Sequence, residues 1–172
     1  QISPELPNTI IVKETLFKLG LKRQNQPVWA SGRIDLNINK QDMLRSFSTR
    51  WRRHITKSIK LKVSIKIESN NIDNINLLLS KYNELQNKKE FTGISNKLIN
   101  ALSKQVGIYW KFNLFIAYDD TQDKPIGVLV SIHSGDTAIY LIGTTNEKGR
   151  KMQANSLLLW QSILHAKNSG CA

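Results

Sequence analysis

Residues 112–142 read FNLFIAYDDTQDKPIGVLVSIHSGDTAIYLI, and this stretch decides the fold. Phe112 to Tyr118 is rich in aromatic and branched side chains and predicts a strand. Asp119 to Lys124 is a polar turn, and Pro125 to Ile132 a second strand. Ser134-Gly135-Asp136 makes a tight hairpin into a third strand, Thr137 to Ile142. Three consecutive antiparallel strands therefore form the centre of the chain.

Outward from them the period changes to that of helices. Ile72, Ile75, Leu79, Tyr82 and Leu85 form one stripe; Leu98, Ala101, Leu102 and Val106 form another after the break at Thr92-Gly93. Lys62 to Ile67 alternates lysine or serine with valine or isoleucine, the pattern of a half-buried strand. Before it, residues 40 to 60 read as one basic helix with Leu44, Phe47, Trp51, Ile55 and Ile59 on its apolar stripe, which assigns Trp51 to packing. Pro27 introduces a strand over 28–36, and residues 8 to 19 read as a short helix closed by Gly20. On the other side, a polar loop through Asn146 and Gly149 leads to a helix from about Met152 to Asn168. The expected class is α+β, layered, with helices covering a mainly antiparallel sheet.

Charge carries the strongest functional signal. Met43 to Ile67 contains Arg45, Arg50, Arg52, Arg53, Lys57, Lys60, Lys62 and Lys66 with no Asp or Glu, so most of the net charge of +12 sits there. Such a block raises the local potential by several kT and draws in a polyanion or a phosphate-bearing substrate. A second candidate is the strand, glycine-bearing loop and helix start from Leu141 to Lys151. Tyr140, Gly143, Thr145, Arg150 and Lys151 would line a donor or acceptor cleft there, with backbone amides facing an anion.

Other chemistries find little support. His54, His133 and His165 are scattered without metal-ligand spacing, and the acids Asp119, Asp120 and Asp123 lack the glycine and terminal glutamate of a calcium loop. No metal is expected. No Gly-x-Ser-x-Gly elbow exists, and His133 and His165 read as structural. At 172 residues and 40% hydrophobic, the chain is long enough for one sizeable core. It has no apolar run of the roughly 20 residues that a membrane-spanning helix needs. The single Cys171 allows no internal disulfide and fits a reducing, cytoplasmic setting. Gln1 and the stop at Gly170-Cys171-Ala172 suggest a fragment of a longer protein.

The linear order of these pieces over residues 40–172 resembles the FemABX family, aminoacyl-tRNA-dependent peptidyltransferases that build peptidoglycan cross-bridges, and their acyltransferase relatives of the GNAT fold. Asp35-Leu36 followed by the Lys40 helix looks like the family's entry. Arg52-Arg53-His54-Ile55-Thr56-Lys57-Ser58 looks like its Arg-x-Asn-Ile-x-Lys-Ala run, with His54 in place of Asn. Phe115 to Tyr118, Pro125 to Gly127 and Gly135 to Thr144 look like its central hairpins, with Thr145 in place of a serine. Leu157 to Trp160, Ala166 and Gly170-Cys171 look like its closing helix, and Ile2 to Leu6 resembles the end of an upstream half.

The resemblance implies that residues 1–36 end a preceding half or linker, and that 37–172 form a GNAT-like domain truncated before the family's later Asp-x-Gly-Gly and Phe-Lys segments. It implies an aminoacyltransferase that needs no resident cofactor, with aminoacyl-tRNA as donor and an amine of a lipid-linked or nucleotide-linked cell-wall precursor as acceptor. Peripheral contact with the inner membrane surface follows for a lipid-linked precursor. Arg52 matches the family's phosphate-contacting arginine, with Arg50, Arg53 and Lys57 as neighbours by charge. The catalytic residues are not assigned. Two other classes stay open. One is a GNAT-type N-acyltransferase using acyl-CoA on a polysaccharide or lipid amine. The other is a non-catalytic module gripping RNA or another anion.

Overall fold

The structure, a computed structural model, describes residues 9–22, 32–68 and 70–172. The chain divides into two compact units, 1–33 and 34–172. In the first, helix α1 spans Ile10–Lys18, capped by the Thr9 side chain accepting from Val12 N–H, and the chain leaves it through Gly20 at φ +78°. Of the strand expected over 28–36, residues 28–31 lie outside the described residues and 32–36 form no strand.

The second unit is built on a four-stranded antiparallel sheet in the order β1-β2-β3-β4. Its strands are β1 Ser64–Glu68, β2 Trp110–Tyr118, β3 Pro125–Ser134 and β4 Thr137–Thr145. Each strand predicted within residues 62–142 is present, and β2, β3 and β4 run on beyond the predicted bounds. The register pairs Phe115 with Leu129, Leu129 with Gly143 and Ile67 with Phe115, with an irregularity at Val130/Ser131 opposite Tyr140–Ile142.

Alternation sends successive side chains of β2 to opposite faces, so the sheet is buried on both. Phe115, Ala117 and Leu129 face helix α7 (Ala154–Asn168) through Leu157, Leu158, Trp160 and Ile163. Leu114, Ile116, Val128, Val130 and Ile142 form a second core with Leu78 and Tyr82 of helix α4 (Ile72–Lys89) and Ile99 of helix α5 (Asn96–Lys104). The result is the expected α+β layering.

Five local expectations change. The single basic helix is two, α2 Lys40–Ser46 and α3 Thr49–Lys60, separated by Phe47 in an extended conformation. Ser48 caps α3 by accepting from Trp51 N–H. The break turns Phe47 inward, where its ring lies 4.4 Å from Trp51 and 6.1 Å from Trp160 in edge-on contacts. The apolar stripe of α3 also ends early: Ile55 is buried but Ile59 is exposed, and the fully buried Ser58 takes the next inward position. Its hydroxyl donates to Met152 O at 2.7 Å and pins the end of α3 to the start of α7.

On α5 the inward face is Ile99 and Ser103, one position off the predicted stripe, and Leu98 and Val106 are exposed. In β1, Ile65 is half-buried but Ile67 points to solvent. The loop through Gly149 contains a short helix, α6 Glu147–Lys151, whose cap Asn146 accepts from Gly149 N–H at 2.8 Å. Gln153, in the left-handed region at φ 60°, redirects the chain into α7.

Candidate functional site

Once α3 is known to begin at Thr49, its solvent face follows from 3.6 residues per turn. Thr49, Arg52, Arg53, Thr56, Lys57 and Lys60 fall on one side of the helix, and with Leu61 they line an open groove. Arg52 is the most enclosed cation of the set. Its Nη2–H donates to Thr49 Oγ1 at 3.1 Å, its carbonyl accepts from Thr56 Oγ1 at 3.1 Å, and its buried Nε has no partner. Among the described residues no carboxylate pairs with Arg52, Arg53, Lys57 or Lys60. The ion pair Arg45–Asp42 belongs to α2. The groove thus presents guanidinium and ammonium donors, held but uncommitted, to an incoming anion. Of the predicted phosphate-binding residues, Arg52, Arg53 and Lys57 are together and Arg50 lies off the groove. Thr49 and Thr56, at spacings of three and four from Arg52, complete it together with Lys60, a further four residues on.

The second predicted cluster is divided. Tyr140 and Gly143 lie together: a Cβ at Gly143 would meet Tyr140 Oη at 2.9 Å and Asn155 Oδ1 at 3.5 Å. The Tyr140 hydroxyl is pushed above the usual phenol range, mainly by burial, although part of the side chain is exposed. Thr145 instead faces Gly127 and Gly149. Arg150 and Lys151 are exposed on α6, and Lys151 is engaged by Glu147 at 3.0 Å. The Gly149 amide is taken by Asn146, and a Cβ there would lie 2.1 Å from Ile126 O. This glycine therefore allows α6 to pack onto the start of β3, and the α6 turn is not an open phosphate cradle.

The acidic turn has a structural use as well. Asp119 is buried, accepts from Thr121 N–H and Oγ1–H at 3.1 and 2.7 Å, and forms an ion pair with Lys148 of α6. The Lys148 hydrogen bond, helped by Thr121, holds its carboxyl down at about 2. Among the described residues no group of His, Cys, Asp and Glu is arranged to hold a metal.

His133 and His165 face each other between β3 and α7, ring centroids 5.6 Å apart, with His165 Nε2 at 3.2 Å from Asn113 Oδ1. Burial lowers both pKa values below the ordinary imidazole range. The neighbouring ring and Lys111 lower that of His133 further, as Lys111 does that of His165. A depressed histidine pKa favours the fold while the ring is neutral, so this stabilisation is complete above the unfolded pKa of about 6.5 and is lost as pH falls through the folded values. The urea midpoint is expected to fall between pH 7.5 and 5, and to fall less in His133→Asn. Equal slopes in the two proteins would exclude the pair as the cause.

The acetyltransferase (GNAT) domain family model matches residues 45–172, and the chain belongs to that family. The crystal structure of FemX superposes with a TM-score of 0.65 at 10% identity, over 79% of this chain and 49% of that one. The C-terminal domain of a protein assigned as a lysylphosphatidylglycerol synthetase, from Agrobacterium fabrum, superposes with a TM-score of 0.53 at 8% identity, over 74% and 41%. The chain thus spans about half the length of the first and two fifths of the second. At these identities the likeness is one of fold. No curated protein sequence matches the chain. The domain is an acyltransferase domain of the GNAT type. No helix of the described residues is long and apolar enough to cross a membrane.

Proposed function

We propose that this domain belongs to an aminoacyltransferase that moves an amino acid from aminoacyl-tRNA to an amine of a peptidoglycan precursor, with the α3 groove binding the precursor's phosphate. The observation that carries this reading is the acid-free face of Thr49, Arg52, Arg53, Thr56, Lys57 and Lys60 beside a GNAT-type core. Transfer of an acyl group to an amine needs donor and acceptor held in line and charge neutralised, and it needs no covalent enzyme intermediate. The paucity of nucleophile–base pairs fits that chemistry. The fold shared with FemX supports the tRNA-dependent type.

A second reading, transfer from acyl-CoA, is favoured by the acetyltransferase description of the family. The closed α6 turn argues against it, because the Gly149 amide is already bonded to Asn146 and its α-carbon packs against Ile126 O.

The deciding experiment is single-turnover transfer by the full-length protein carrying this chain. Labelled aminoacyl-tRNA is compared with labelled acyl-CoA, each with a cell-wall precursor. Transfer from tRNA alone is the expected result; transfer from acyl-CoA alone would overturn the proposal.

A further inference from the structure

The segment 105–109 between α5 and β2 takes no part in the groove, yet its side chains are at odds with their surroundings. Val106, Ile108 and Tyr109 are 89%, 84% and 73% exposed, and Leu98 on α5 is 49% exposed. Exposed apolar residues scattered singly need no explanation, but a cluster at a loop tip does. The backbone beneath is fixed. Trp110 N–H donates to Gly107 O at 3.2 Å, Gly135 N–H donates to Tyr109 O at 2.9 Å, and the Trp110 indole donates to Leu102 O at 3.3 Å. The tip is therefore presented outward by a built turn.

Its charge is one-sided. From Phe91 to Tyr118 the ionised side chains are Lys97, Lys104 and Lys111, all exposed, with no Asp or Glu. The carboxylate beside the tip is Asp136 of the β3–β4 turn, which accepts from Thr137 Oγ1 at 3.0 Å.

We propose that this tip docks on an anionic lipid bilayer. Val106, Ile108 and Tyr109 enter the boundary between headgroups and acyl chains, and Lys97, Lys104 and Lys111 lie among the headgroup phosphates. A convex aliphatic tip suits a fluid surface that closes around it, and tyrosine is at home at that depth. A lysine collar adds attraction to anionic lipid, whereas lysine is depleted from protein–protein contacts. The proposal does not depend on which acyl donor the domain uses.

The test is cosedimentation with phosphatidylcholine vesicles, with and without phosphatidylglycerol. The protein is expected to bind the anionic vesicles. The triple substitution Val106→Ser, Ile108→Ser and Tyr109→Ser is expected to weaken partitioning at least ~10-fold with an unchanged melting curve. Each of Lys97→Gln, Lys104→Gln and Lys111→Gln is expected to cost about fivefold. A fluorophore on Ile108→Cys, in a Cys171→Ser background, should shift to the blue on vesicles and be quenched by brominated lipid chains. Three results would each overturn the proposal. One is no vesicle binding at all. Another is binding abolished by Arg52→Gln, Arg53→Gln, Lys57→Gln and Lys60→Gln together while the serine variant binds normally. The third is a serine variant that changes only self-association of the protein.

Discussion

Gly149→Ala is expected to destabilise the domain by about 3 kcal/mol, lowering the melting temperature by roughly 6–12 °C. The added methyl would sit 2.1 Å from Ile126 O, 3.1 Å from Ile126 C and 3.2 Å from Thr145 Cβ. The first two atoms are backbone in β3, so no rotamer change makes room and α6 has to lift. Lifting it strains Asn146 N–H to Ile126 O at 3.1 Å, Asn146 Nδ2–H to Pro125 O at 3.4 Å and the Lys148–Asp119 ion pair, each tying α6 to the strand ends. Overpacking of about 1–3 kcal/mol and the weakening of hydrogen bonds worth about 1 kcal/mol each add to the expected figure. Gly107→Ala is the control. A Cβ there meets nothing closer than Trp110 Cβ at 3.6 Å, so the change is expected to be neutral or to stabilise by up to ~1 kcal/mol through the unfolded chain. Urea unfolding of both variants decides the matter; a Gly149→Ala loss no larger than that of Gly107→Ala would mean that α6 is not held against β3.

That same glycine shows where sequence reading stopped short. The strands around Phe112 to Ile142 were legible because period-2 patterning, a polar turn and a Ser-Gly-Asp hairpin all pointed one way. The glycine-bearing loop after β4 looks in sequence like an anion cradle, because close packing and phosphate approach both demand a missing side chain. Only the position of Ile126 O distinguishes them. The division between α2 and α3 had a visible signal in Ser48, a good N-cap, but the apolar stripe ran through it at helical spacing and Phe47 fitted both readings. Ser58 in place of Ile59 was illegible for another reason. Burial of a hydroxyl depends on an acceptor 94 residues away, the Met152 carbonyl, and no local pattern announces it. The basic face was legible as charge. That Arg52, Arg53 and Lys57 share a groove and Arg50 does not depends on where α3 starts.

With the precursor's phosphate in the α3 groove, as proposed, Arg52→Ala is expected to weaken its binding about 100-fold, and Arg52→Lys about 10-fold despite the retained charge. The guanidinium is held by Thr49 Oγ1 at 3.1 Å while Thr56 Oγ1–H donates to the Arg52 backbone carbonyl at 3.1 Å, and lysine has no planar fork to offer two phosphate oxygens. Arg50→Ala, outside the groove, is expected to change affinity less than twofold, because only long-range charge is lost. A structural role for Arg52 makes the opposite forecast in a separate readout. Its buried Nε lacks a partner, and an unmet buried donor costs about 1–3 kcal/mol. Arg52→Met keeps the stem and removes that donor, so it should be at least as stable as the parent while binding precursor as poorly as Arg52→Ala. Stability held in reserve at a binding residue is the signature of a group kept for its ligand. Calorimetric titration with the precursor and urea unfolding, run on Arg52→Met, read the two quantities independently. A variant that unfolds more easily yet binds normally would move Arg52 from the site into the scaffold, and phosphate recognition would then have to rest on Arg53, Lys57 and Lys60.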